Sequence, residues 1–171
     1  SSPTDTTSDK ISKTKLTRTY NVPLQKIYVD VPNYQEIEQA YTELFIIHDS
    51  RYVSLTSAFD DVASTPKEAH KVAFKEMIPN MQNYEGGING ITITKDEETT
   101  INGIDMYLFE GTINYGTDTK FDGYAKGCAF VLDGVPCEIV GSVIDKSQSQ
   151  ELIDEISEIV DEMIQTVRSE E

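Results

Sequence analysis

Two histidines, two cysteines and a strip of helical acids are the side chains from which a reactive site could be assembled. His48 and His70 have no second His or Cys at metal-ligand spacing, so the sequence writes no zinc site. It holds no Gly-x-Ser-x-Gly elbow, no phosphate loop and no dinucleotide fingerprint. Gly86-Gly87 and Asn89-Gly90 read as turn residues, not as a phosphate cradle. A triad built on Cys128, Cys137 or a serine would have to be assembled by the tertiary fold alone. Calcium chemistry needs acids at alternate positions, a central Gly and a terminal Glu. Asp118 to Gly123 and Lys95 to Glu98 supply acids without that frame. No catalytic residue, metal ligand or cofactor site is assigned.

Thirty acidic residues against fourteen basic ones leave the 171-residue chain with a net charge of −16. That balance excludes nucleic acid and anionic membrane surfaces, which are bound through Lys and Arg. No apolar run approaches the roughly 20 residues of a membrane-crossing helix. The length suits a single domain with its own core. Residues 1–19 are rich in Ser, Thr, Asp and Lys, and read as a flexible polar tether ahead of one globular domain, 20–171. Such a tether, beginning without Met, resembles the mature segment that follows the lipidated Cys of a bacterial lipoprotein. The expectation is an extracytoplasmic, cell-surface protein whose lipid anchor precedes the sequence given.

The elements that must position these side chains follow from periodicity. Leu24 to Val31 alternates and stops at Pro32, a first strand. Asn33 to Glu36 has capping-box spacing, and Ile37, Ala40, Tyr41, Leu44 and Phe45 predict a helix to about Ile47, with His48 near its end. Arg51 to Phe59 predicts a second strand. Thr65-Pro66-Lys67-Glu68 opens a helix with Ala69, Val72, Ala73 and Met77 inward and His70 on the polar side. Pro79 kinks or ends it, and Gly86-Gly87 closes the segment. Strands 91–101 and 104–114 flank Asn102-Gly103, and strands 121–132 and 135–144 flank Asp133-Gly134, both preferred two-residue hairpin turns. The first register sets Lys95 opposite Glu110, and the second sets Phe130 opposite Cys137 and Cys128 opposite Ile139. The two cysteines are then diagonal, roughly 7–8 Å apart, and predict two buried free thiols. Tyr115 and Tyr124 flank the polar loop 116–120 and could floor a shallow binding patch. Ser147 to Gln150 opens the last helix, whose stripe runs from Leu152 to Val167. Its opposite face carries Glu151, Asp154, Glu155, Glu158, Asp161 and Glu162. The sum is an α+β protein: an antiparallel sheet of about six strands, four of them a C-terminal meander, flanked by about three helices as an α/β/α sandwich.

The strand ending in Val31-Pro32, the later helix, the Ile101-Asn102-Gly103-Ile104 hairpin, the second hairpin and the terminal amphipathic helix together resemble the PsbP-like fold. That fold is shared by the extrinsic PsbP protein of photosystem II, a Ran-binding nuclear-import factor of yeast and bacterial lipoproteins of unassigned role. The resemblance covers Tyr28 to Arg168, with Tyr34 in the place of an aromatic residue that often follows the Val-Pro pair. It implies a non-enzymatic docking or binding domain; a monomer with a protein or cell-envelope partner is expected. Candidate partner-binding residues are Asp154, Glu155, Glu158, Asp161 and Glu162 on the acidic helix face, with Tyr115 and Tyr124 at the loop end. Two other classes stay open: a small hydrolase or lyase assembled only in three dimensions, and a divalent-cation-binding module.

Overall fold

The computed structural model describes residues 16–80, 88–115, 121–144 and 149–170. Among these residues nine strands and two helices follow in order: β1 (Leu16–Asn21), β2 (Tyr28–Pro32), β3 (Glu36–Gln39), β4 (Glu43–His48), β5 (Arg51–Ser57), α1 (Pro66–Asn80), β6 (Ile88–Ile101), β7 (Ile104–Tyr115), β8 (Phe121–Leu132), β9 (Val135–Val143) and α2 (Gln150–Gln165). Seven strands form one antiparallel sheet in the order β3-β4-β5-β9-β8-β7-β6, and β1 pairs with β2 in a separate ribbon. The fold is α+β, with α1 on one face of the sheet and α2 beside the ribbon on the other.

Both hairpins fall in the predicted register. Asn102 and Gly103 turn at φ 52° and 79°, and Asp133 and Gly134 at 50° and 82°, the left-handed conformations that such turns need. Lys95 pairs with Glu110, Phe130 with Cys137 and Cys128 with Ile139. Strands β9 and β8 lie at the centre, covered on both sides as their unbroken apolar runs require. Cys128, Phe130, Cys137 and Ile139 face α2 and pack on Ile156, Ile159, Val160 and Met163. Phe109, Ala125 and Val140 join Phe74 of α1 in the core of the opposite face.

Several expectations are corrected. The helix predicted over 33–47 is instead the hairpin of β3 and β4, pairing Glu36 with Ile47 and Gln39 with Leu44. A helix would bury Ile37 and Tyr41, yet these are 40% and 71% exposed. The run Leu44-Phe45-Ile46-Ile47 is buried on both sides, Leu44 and Ile46 toward α2, Phe45 and Ile47 toward α1. An apolar run covered on two sides is a strand pattern, and the β-branched pair Ile46-Ile47 reinforces it. His48 therefore ends a strand. The first strand begins at Tyr28 because Leu24 sits in a turn at φ 65°. Strand β1 starts at Leu16, inside the span read as tether, because Leu16, Arg18 and Tyr20 alternate inward against β2. The last helix is capped at Ser149, whose hydroxyl accepts from Leu152 N at 3.5 Å. Gly86-Gly87, the loop 116–120 and Ser147 lie outside the described residues.

Candidate functional site

Helix α2 buries Ile156, Ile159, Val160, Met163 and Ile164 and turns Glu151, Asp154, Glu158, Asp161 and Glu162 outward. The periodicity that builds its core face thus gathers the acids into one strip. Glu155 leaves that strip. Its Oε2 accepts from Arg51 Nη1 at 2.6 Å and from the Tyr34 hydroxyl at 3.2 Å, with the Arg51 and Glu155 side chains each 13% exposed. It fastens α2 to β5 and to the segment after β2. Burial, then the neighbouring Glu155 charge, pushes the Tyr34 phenol well above its usual range.

Beside the strip lies a cleft of about 360 Å³, lined by Lys95, Glu97, Leu108, Glu110, Lys126 and Asp161. Lys126 on β8 donates to Ser157 Oγ at 3.0 Å and meets Asp161 Oδ1 at 2.8 Å. The Tyr124 hydroxyl donates to Glu110. Burial first, and that hydrogen bond next, raise the Tyr124 phenol. Tyr124 and Asp161 thus hold the two members of one cross-strand pair, Tyr124 bonding Glu110 and Asp161 meeting its register partner Lys126. Asp154 accepts from Gln150 Nε2 at 2.9 Å. Tyr115 ends β7 opposite Phe121 and lies at the other end of the pairing from Leu108.

The second polar constellation escaped the sequence reading. His70, expected on the polar side of its helix, is 6% exposed and its Nδ1 meets Oε2 of the fully buried Glu138 of β9. Its ring packs on Phe109, centroids 4.3 Å apart, with Phe74 and Tyr107 both at 5.7 Å. Burial raises the Glu138 carboxyl and His70 pulls it back. The available signal was Glu138 itself, an acid set in the apolar run 135–144. Such a residue must find a partner when buried, and His70 lies one turn from Phe74 on the same helix face.

Cys128 and Cys137 are free and buried. Burial raises both thiols, Cys137 to about 12. Among the described residues, no three His, Cys, Asp or Glu side chains converge in a way that could hold a metal ion. No described helix is long and apolar enough to cross a membrane.

No protein-family model and no curated protein matches the chain. Solved structures do. Cyanobacterial PsbP (CyanoP) of Synechocystis sp. PCC 6803 aligns with a TM-score of 0.56 at 12% identity, over 88% of this chain and 90% of its own. Protein PA94 of Pseudomonas aeruginosa, of unknown function, gives 0.41 at 12% identity over 88% and 96%. LpqN, involved in cell envelope biogenesis of Mycobacterium tuberculosis, gives 0.33 at 11% over 84% and 80%. The architecture is that of a PsbP-like α+β domain. The protein described here has that fold over nearly its whole length.

Proposed function

We propose that this chain is an extracytoplasmic, non-enzymatic binding domain, held to the cell envelope by a lipid anchor, and that it docks a basic protein partner on the outer face of α2. The observation that carries the reading is the strip of five exposed acids on α2, continuous through Asp161 with the charged cleft. A partner rich in Lys or Arg is complementary to it, and the net charge of −16 would steer the encounter. Both cysteines and the only buried histidine among the described residues sit in the core, where they support packing rather than turnover. A monomer is favoured by the sheet edges. Strand β3 carries Glu36 and Glu38, and β6 carries Lys95 to Glu98 beside a register shift at Ile93/Lys95, devices that discourage edge-to-edge pairing.

The test is a cross-linked pull-down from envelope extract, with wild type beside Asp154→Lys/Glu158→Lys/Glu162→Lys. That variant keeps Lys126–Asp161 and Arg51–Glu155 intact. A partner held by wild type and lost by the variant supports docking on α2; a partner held equally by both removes the site from α2. Labelling cells with a fatty-acid probe tests the anchor, and unlabelled mature protein contradicts it.

A further inference from the structure

Helix α1 sits on the sheet through a face of unusual composition. Among its described side chains the fully buried positions are Ala69 and Ala73, small side chains that contribute little apolar area, joined by Phe74 and the nearly sealed His70. The polar contact from His70 to Glu138 is thus one of the contacts that distinguish α1 docked from α1 released. The environment of the pair is unequal around Glu138. Oε2 meets His70, while Oε1 is buried without a hydrogen-bond partner, as is the hydroxyl of Thr56, its register partner on β5. Beyond Thr56 on β4 stands Glu43, fully buried and facing the same side of the sheet. From β8 the neighbour is Ala129. From β7 comes Tyr107, whose hydroxyl donates to Asp96 at 2.8 Å and whose register partner on β6 is Glu98. Lys67 of α1 stands 5.9 Å from the Tyr107 ring centroid.

We propose that His70 and Glu138 form a proton-operated clasp that holds α1 on the sheet and releases it as pH rises. While the pair shares one proton beyond that of a neutral ring, between the ring nitrogen and the carboxyl, it is neutral overall. Loss of one proton leaves the bond in place but strands a net negative charge in the interior, with one carboxylate oxygen unserved and Glu43 two strands away. The least costly relief is to move α1 and let water reach Glu138. The sign agrees with linkage. A carboxyl raised in the folded state means that the closed form binds its proton more tightly than the open one, so closure weakens as pH rises through the folded value. Opening would bare Phe74, Phe109 and Ala129, an apolar surface absent from the closed protein.

Backbone hydrogen exchange on the intact protein tests the clasp, following α1 and α2 separately from about pH 6 to 9, with rates corrected for intrinsic exchange. The expected result is protection of α1 that falls up to about tenfold per pH unit while the closed clasp keeps a proton that the open form has lost, and levels off once the closed clasp loses it too, while α2 holds steady. Glu138→Gln keeps the shape and one acceptor and removes the charge, so α1 protection in that variant should be flat with pH. Protection of α1 that parallels α2 throughout, or a slope that survives in Glu138→Gln, overturns the proposal. Should the variant not fold, the wild-type His70–Glu138 pair, followed by NMR of the ring and carboxyl carbons, must lose its shared proton at the upper end of the window where α1 opens; a pair that loses it elsewhere overturns the proposal equally.

Discussion

At the scale of single residues, the chemistry of this chain is turned inward. The thiolate is the reactive form of cysteine, and burial in an apolar setting suppresses it. Cys137, raised to about 12, and Cys128, raised further, should not react with a thiol reagent in the folded protein at neutral pH. Both should react on unfolding, and mass spectrometry before and after denaturant counts the labels; labelling of the native state would contradict the burial. Glu155 carries a prediction of a different kind, because it holds Arg51 and Tyr34 where they are nearly shut off from water. Glu155→Ala removes the short partner of Arg51, leaving it the longer contact with exposed Asp49 at 3.5 Å, and should cost up to about 3 kcal/mol in a denaturant titration. An exposed acid of the same strip, such as Glu162, should cost at most about 0.5 kcal/mol on conversion to Ala.

Between elements, the hairpin turn of β6 and β7 does more than reverse the chain. Asn102 Nδ2 donates to the carbonyls of Gln165 at 3.0 Å and Val167 at 2.8 Å, closing the end of α2. Asn102→Gly keeps the turn conformation and should lose about 1 kcal/mol with that cap. Asn102→Ala should lose about 1 kcal/mol more, since Ala is strained at φ 52°. Equal losses in thermal unfolding would mean the cap alone matters. The turn was legible in the sequence, because Asn-Gly between alternating runs admits few other conformations. Its tie to α2 was not, because a contact across 63 residues leaves no local trace. The same distinction explains the rest. Helix α2 declares itself by an unbroken stripe over four turns. The segment 33–47 mixes a capping-box spacing with an apolar run, and local signals favoured the helix until burial on two faces decided for strands. His70 looked polar because its partner lies 68 residues away.

For the molecule as a whole, the sheet sorts the chain into two faces with different roles. The α1 face seals a buried acid and histidine; the α2 face joins an apolar core to the acidic strip and the cleft. The PsbP-like scaffold was readable from hairpin spacing and the terminal helix, whereas the cleft depends on Lys126, Asp161 and Glu110 meeting from three elements. The account stands or falls on whether the acidic strip is a contact surface. The most direct measurement is the affinity of the captured partner for wild type and for Asp154→Lys/Glu158→Lys/Glu162→Lys, each at low and high salt. The account predicts that wild-type affinity falls as salt is raised, and that the variant binds at least about tenfold more weakly at low salt, a difference that shrinks on screening. Equal affinities for the two proteins, unmoved by salt, would contradict it.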